Sequence, residues 1–401
     1  MHSVVVAKFV PWPPNSGDKR RTLGVVRALR AHGEVTVCAY AGQDEDVAGL
    51  EAEGVRVVAV PRGGPLPARL VDLALGLLRG QSLTSARFYS RALDAAVRDA
   101  TARRADALVV EHVQLVPLAR RSSAATTVLD MHNVESSLTD RYARSQRGVR
   151  RLVLAVEARL LRRLERRASA SAGVVALASA GDADRLRDLV GSGARGADGR
   201  PVVDRLVVVP NAWDEPTPLP QATGPVVCFV ALLSWAPNVD AAVWFAEQVW
   251  PLVRAERPDA TLLLVGRNPA PAVRELAGPG LEVTGTVPDL TPSYARSALA
   301  VAPLRSGGGS RLKILEALAH ARPVVSTTVG VEGLEDLVGR GVVVADEPAA
   351  MARELVDLLA DPARRARLGE AGAAAVGDDH SWAAATRPLV QRISDDLGAQ
   401  T

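Results

Sequence analysis

Apolar residues fall along this chain in two rhythms. Nearly unbroken apolar runs occupy 4–10, 35–40, 55–60, 107–111, 127–131, 173–178 and 206–209. Between several of them, apolar residues return every third or fourth position, as Leu23, Val26 and Leu29 do within 18–31, and again over 91–102 and 147–168. The first rhythm predicts buried strands and the second predicts amphipathic helices. Strands apolar on both sides of the pleat belong in a parallel sheet covered on both faces, and alternation with helices predicts a doubly wound α/β unit.

The rhythm breaks once. Prolines 210, 216, 218, 220 and 225 fall in a stretch without apolar periodicity, which reads as a linker. The alternation then restarts, with strands expected at 226–231, 261–265, 281–284, 299–302, 323–326 and 341–344. Helices are expected at 239–249, 270–277, 292–297, 311–320 and 349–359, and from 361 onward with a break near Gly377. The expected organisation is two such units, 1–215 and 216–380, and a last helix over 381–401. Ligands of such sheets bind beyond the carboxyl ends of the strands, and a cleft between two units is the first place to look.

Composition narrows the class. A chain of 401 residues with 48% hydrophobic and 23% charged residues is an ordinary globular protein, long enough for two or three domains. No apolar run approaches the ~18 residues of a membrane span; the longest candidate, 70–78, is interrupted by Asp72. Cys38 and Cys228 lie far apart in apolar runs, which excludes a disulfide scaffold and a cysteine zinc site. Both read as buried thiols of an intracellular protein, and the first residues lack the basic leader of a secretory signal. The net charge of +3 is carried almost wholly by arginine, with lysine only at 8, 19 and 313. Eight arginines and two glutamates, Glu157 and Glu165, decorate 147–167, around an apolar stripe at 149, 152, 153, 156, 160 and 164. Two readings stay open: a solvated helix packed on the sheet by that stripe, or a patch for anionic lipid or a phosphorylated acceptor.

The densest chemical signal is 303–326, PLRSGGGSRLKILEALAHARPVVS. A strand, a glycine loop (306–310) and a helix start make an anion site, since backbone N–H groups and the helix dipole both favour negative charge there. Arg311 and Lys313 oppose that dipole, at a cost of a few tenths of a kcal/mol, unless an anion sits among them. Glu316 stands three residues after Lys313 on the same side, where a carboxylate suits a ribose diol. The spacing fits neither a Walker loop nor G-x-G-x-x-G. Polar groups also stand at two strand ends: Glu111 and His112, and His132, Asn133 and Glu135. A histidine so placed can orient a hydroxyl or take its proton, although each also reads as an ordinary edge residue. His320 and His380 read as structural. The acidic triplet at 44–46 reads as a surface loop, and no metal site is expected.

These segments resemble family 4 glycosyltransferases of the GT-B fold over nearly the whole chain. The 303–326 segment is similar to their donor-site signature. VVCFVALLSWAPNVD (226–240) looks like the opening of their C-terminal domain, LLVGRNP (263–269) like its second strand and turn, and VTGTVPD (283–289) like the turn that holds the base. VEGL (331–334), PPNSGDKRR (13–21) and VPN (209–211) follow in the expected places. Two departures stand out. The first glutamate of the family's Glu-x7-Glu pair is Gly308, and 236–238 is Ala-Pro-Asn where many members carry a basic residue. The resemblance implies two Rossmann-like domains facing a cleft, 1–215 binding the acceptor and 216–380 the nucleotide sugar, with the helix 381–401 returning to the first. It implies a retaining transfer of a hexose, read as UDP-linked, to a hydroxyl acceptor of cell-envelope glycan or secondary metabolism. It implies no cofactor beyond the nucleotide sugar and no metal. His132, Lys313 and Arg311 are the implied catalytic residues. Gly17, Arg267, Val287, Gly307, Gly308, Gly309, Ser310 and Glu316 are the implied donor contacts, and Glu111, His112, Asn133 and Glu135 line the acceptor side. No nucleic-acid partner is implied. The expected location is the cytoplasm, with a peripheral position at the inner membrane face through 147–167 left open. A nucleotide-sugar epimerase and a non-catalytic nucleotide-sugar-binding subunit are the alternatives.

Overall fold

The computed structural model describes residues 1–42, 45–61, 76, 81–144, 146–196, 198–214, 216–306 and 311–398. It divides into two units: Met1–Pro210 with Ala385–Thr401, and Asn211–Gly307 with Arg311–Ala384.

The first unit holds seven parallel strands: β1 (His2–Ala7), β2 (Glu34–Ala41), β3 (Arg56–Pro61), β4 (Ala107–Glu111), β5 (Thr126–Met131), β6 (Val174–Leu177) and β7 (Leu206–Val208). Their order is β3-β2-β1-β4-β5-β6-β7, so the winding reverses between β1 and β4. Successive side chains of a strand point to opposite faces, and here both faces are buried. Val4, Val6, Leu108, Val110 and Leu129 enter one core, and Val5, Val37, Val109 and Val128 enter the other. The helix Trp382–Gly398 belongs to this second core through Leu389 and Ile393, and its Asp396 accepts from Thr126 Oγ1 at 2.6 Å.

The second unit holds β8 (Val226–Val230), β9 (Thr261–Val265), β10 (Leu281–Gly285), β11 (Leu299–Ala302), β12 (Val324–Ser326) and β13 (Val342–Val344). The order β10-β9-β8-β11-β12-β13 repeats the topology of the first sheet, reversing between β8 and β11. The proline-rich stretch is tied to this unit from Asn211 onward. Trp213 N–H donates to His380 O at 2.8 Å, Trp382 N–H to Asp214 at 3.0 Å, and Arg322 to Pro220 O at 2.6 Å.

Several expected elements differ. The first strand stops at Ala7 rather than at 10. The helix expected over 239–249 runs as Ala236–Trp244, then a π-helical turn Phe245–Val249, then Trp250–Glu256. Pro251 lacks an N–H, and the widened turn, with Trp250 N–H bonded to Phe245 O, opens a new helix whose first positions tolerate proline. The helix Val47–Ala52 follows the acidic triplet, whereas Leu83–Phe88, Glu135–Arg144 and Ala180–Val190 were not expected. Asp46 is the N-cap of Val47–Ala52, accepting from Gly49 N–H at 2.9 Å, and Glu45 pairs with Lys19 at 3.0 Å. Two carboxylates of the acidic triplet are thus spent on a cap and an ion pair; the third, Asp44, lies outside the described residues.

The helix Gly148–Ser171 overturns the reading that its apolar stripe packs inward. Val149, Leu152, Val153 and Val156 are exposed, and the buried face is Glu157, Ala158, Leu161, Glu165, Ala168 and Ser169. The reason is tertiary. Glu157 accepts from the N–H groups of Leu83 and Thr84 at the start of Leu83–Phe88, and Glu165 accepts from Ser136 N–H at the start of Glu135–Arg144. Carboxylates on orphan N–H groups of helix starts set the rotation of this helix.

Candidate active site

In the first unit, β4 and β5 are register partners, with Glu111 opposite Asp130, and both end beside the winding reversal. Just past them a polar cluster is packed out of water. His132 Nε2 lies 2.7 Å from Glu111 Oε2, and Thr22 Oγ1 donates to the same oxygen at 3.1 Å. Arg21 donates to both oxygens of Asp130, at 2.6 and 2.9 Å, and to Val209 O at 2.7 Å. His112 adopts φ 76°, an uncommon left-handed backbone for a non-glycine residue, and its ring stacks on His132 with centroids 3.6 Å apart. Glu111 Oε1, His112 Nδ1 and Asn133 Oδ1 are buried without a described partner. Glu135 opens the helix Glu135–Arg144 and acts electrostatically on Lys8, just beyond β1.

Burial pushes Glu111 up to about 7, against the Arg21 charge, and it pushes His132 down to about 4, against the Asp130 charge. Burial likewise lowers His112 well below the usual imidazole range, followed by the effect of His132. Both directions favour a neutral pair, with the proton held on the carboxyl and shared with Nε2, over an ion pair. No described residue bonds the other nitrogen of His132, Nδ1. Glu111, read from the sequence as an acceptor-side residue, is fully buried and bonded to His132 and Thr22.

Glu111, His112 and His132 bring possible metal-ligand atoms within 4.8 Å of one another. The two rings lie near parallel, at 31°, so their in-plane lone pairs run along separate lines. Glu111 Oε2 already serves His132 and Thr22.

In the second unit the helix begins at Leu312, with Arg311 at its N-cap. Gly307, Gly308, Gly309 and Ser310 lie outside the described residues. Arg311 is buried; it donates to Val329 O at 2.8 Å and reaches Glu332 Oε2 at 3.3 Å. Lys313 Nζ donates to Asn238 Oδ1 at 2.7 Å and stands 5.1 Å over the ring of Phe229. Asn238 is held by its own donation to Leu232 O at 2.9 Å, which fixes its oxygen toward the lysine. Burial, and then the neighbouring Arg311, lower Lys313 to about 7. Glu316 is buried and accepts from Tyr294 Oη at 3.3 Å, and Tyr294 stacks on His320 at 4.9 Å.

The remaining residues singled out from the sequence are more dispersed. Arg267 sits in the turn after β9, between Gly266 at φ 153° and Asn268 at φ 50°, and its carbonyl accepts from Leu233 N–H at 3.2 Å. Val287 follows β10 and packs on the core. Gly17 is the exposed first residue of the helix Gly17–Arg30. His320 bonds Thr217 O at 3.1 Å and His380 bonds Asp336 at 2.9 Å, both structural contacts. Cys38 and Cys228 are buried, and burial raises both thiols to about 12. An open cavity of about 760 Å³ flanks the helix after β8, where Arg305 pairs with Asp240 at 2.5 Å and covers the ring of Trp244.

Reading the sequence did not find Arg21, Thr22, Asp130, Asn238 or Tyr294 as site members. Arg21 and Asn238 lay inside quoted motifs. Asp130 was within reach of a register argument, since adjacent parallel strands that end together bring their last residues side by side.

Two doubly wound α/β units in one chain make this a GT-B fold. Sucrose-phosphate synthase from Thermosynechococcus elongatus aligns over 100% of both chains with a TM-score of 0.72 at 17% identity. Anabaena Alr3699/HepE, solved in complex with UDP and glucose, aligns over 98% of this chain and 99% of its own, with a TM-score of 0.66 at 14% identity. Residues 224–361, inside the second unit, match the family described as Glycosyl transferases group 1. An uncharacterized 44.6 kDa protein in the cps region of Klebsiella pneumoniae is 27% identical over 140 residues, 33% of this chain and 36% of that protein. The chain thus matches about a third of the length of that curated relative.

Proposed function

We propose that this protein is a retaining glycosyltransferase that moves a hexose from a nucleoside diphosphate sugar, a UDP-hexose, to a hydroxyl acceptor. The observation that carries the reading is Lys313: a desolvated ammonium bonded to a neutral amide and set beside Arg311, with no carboxylate within bonding distance among the described residues. Such a pair is completed by a diphosphate. Its charge grows as the sugar–phosphate bond breaks, so preorganised cations stabilise the transition state more than the ground state. Gly307, Gly308, Gly309 and Ser310, outside the described residues, are read as donor contacts, and Glu316 takes the ribose hydroxyls. Arg267 and Val287 stand on the nucleotide side, with Gly17 approaching the donor by its backbone.

His132 orients the acceptor hydroxyl or takes its proton through Nδ1, with Glu111 as the proton partner of Nε2. His112, Asn133 and Glu135 line that side. The positive charge comes from Arg311 and Lys313, so the reaction is read as metal-free and without a cofactor besides the donor. HepE's complexes with UDP and with UDP-glucose support a uridine donor. The acceptor is read as a lipid-linked or polysaccharide intermediate of an envelope glycan at the inner membrane face. A soluble secondary metabolite is the alternative acceptor.

The test is transfer from UDP-, GDP- and dTDP-hexoses to envelope lipid extracts, with the product's anomeric configuration read by NMR. A product that keeps the donor's configuration is expected; inversion contradicts the mechanism. Donor conversion to an epimer without acceptor would make the protein an epimerase. Binding without turnover of any donor would make it a non-catalytic subunit.

A further inference from the structure

The N-terminal half of the helix Gly148–Ser171 leaves its apolar residues in water. Val149, Leu152, Val153 and Val156 are 78%, 66%, 52% and 52% exposed. Their spacing of three and four places them on one helix face. Single exposed apolar residues need no explanation, but a contiguous ridge of four marks an interaction surface. It does not come from a loosely held helix, since the opposite face is fixed by Glu157 and Glu165 at two neighbouring helix starts. Leu83, bonded through its N–H to Glu157 and 46% exposed, adds a further apolar residue beside this helix.

The charge around the ridge identifies the occupant. The line through Leu152 and Val156 continues as Arg159, Arg163 and Arg167, all exposed. These three, with exposed Arg147 and Arg151, have no partner among the described residues. Other arginines of the helix are engaged. Arg150 donates to Tyr142 Oη at 2.8 Å, Arg162 pairs with Asp140 at 3.1 Å, and Arg166 donates to Leu189 O at 2.7 Å. An apolar ridge set among unpaired arginines complements a surface that is apolar below and anionic above. A second copy of this chain would set arginine against arginine.

We propose that this helix docks the protein on an anionic lipid bilayer, with Val149, Leu152, Val153 and Val156 inserted at the headgroup boundary. Arg159, Arg163 and Arg167, on the same line of the helix, then lie on lipid phosphates. This rests on the membrane-face reading above. Its test reads vesicle binding and not transfer, so either can fail alone.

The full-length protein is sedimented with phosphatidylcholine vesicles with and without phosphatidylglycerol, at low and at physiological salt. Binding to the anionic vesicles only, weakened by salt, is expected. Leu152→Glu combined with Val153→Glu should weaken it roughly 10-fold or more, and so should Arg159→Glu with Arg163→Glu. Both variants should melt like the parent, because these side chains are exposed. The emission of Val149→Trp should shift to the blue on anionic vesicles. Anionic vesicles that bind neither parent nor variant, or both equally, overturn the proposal, as does an unshifted tryptophan. A dimer in sedimentation equilibrium that Leu152→Glu dissolves would give the ridge to a second copy. A lowered melting temperature of the Leu152→Glu, Val153→Glu variant would give it to another part of this chain. Either outcome also overturns the proposal.

Discussion

The two polar clusters each adjoin the winding reversal of a sheet, one past β4 and β5 and one beside β8 and β11, yet they balance charge in opposite ways. Beyond β4 and β5 every strong charge meets its opposite or is neutralised: Arg21 holds Asp130, and Glu111 shares a proton with His132. Beside β8 and β11, Lys313 is offered only the neutral oxygen of Asn238, with Arg311 as a like-charged neighbour. Arg311 already reaches Glu332, so Lys313, half-buried, is the cation left without a carboxylate among the described residues. A partly desolvated charge so placed is costly unless something supplies a counter-ion. On the proposed reading, the first cluster keeps a proton in place and the second receives an anion. One fold thus carries both kinds of site, and the difference lies in a few side chains at strand ends.

The largest expected effect comes from breaking the second cluster. Lys313→Ala should lower turnover roughly 100- to 1000-fold, as loss of a charge-stabilising donor does. The free protein should not suffer for it. The folded lysine titrates near 7 against an ordinary 10.5, so the unfolded chain binds more protons between these values. Stability therefore rises with pH from about 7 toward 10.5, and Lys313→Ala should remove that rise in chemical unfolding curves. A variant less stable than the parent at neutral pH would contradict the missing counter-ion.

In the first cluster, His132→Ala should cost about 100-fold in turnover while leaving the Kd for UDP unchanged. A loss carried mainly by Kd would place the histidine on the donor. Glu111→Gln sharpens the contrast further. Glu111 titrates near 7 when folded against an ordinary 4.5, so the folded state holds the extra proton and its contribution to stability falls as pH rises through that window. Glu165 titrates in the same range, so the informative quantity is the difference between parent and variant. That difference should flatten the slope between about pH 4.5 and 7 and move the pH profile of turnover.

Asn238→Ala should have the smallest effect, with UDP binding roughly 10-fold weaker, the worth of one hydrogen bond that orients a cation. Unchanged binding would mean that Lys313 finds its position without the amide.

Much of the fold was legible because the strands are apolar on both faces and short; β4, β9 and β11 fall where the runs predicted. The helix Gly148–Ser171 was legible as a helix but not in its orientation. Periodicity finds a stripe, whereas Glu157 and Glu165, bound to helix starts far away in sequence, decide which side is buried. The proposed anion site rests on Arg311 and Lys313, which stood out in the sequence because cations at a helix start are locally unfavourable. Asn238 was read only as a missing basic residue, because its role appears when β8 and β11 become neighbours. The proton-sharing pair was half legible: Glu111 and His132 each stood at a strand end, and register made them partners.

The claim on which the rest depends is that the Arg311–Lys313 pair receives a diphosphate, and calorimetry with UDP and uridine tests it most directly. The account predicts that UDP binds tightly to the parent, that uridine binds at least about 100-fold more weakly, and that Lys313→Ala erases the difference. Equal affinity for UDP and uridine, or a Lys313→Ala variant that still prefers UDP to the same degree, would contradict it.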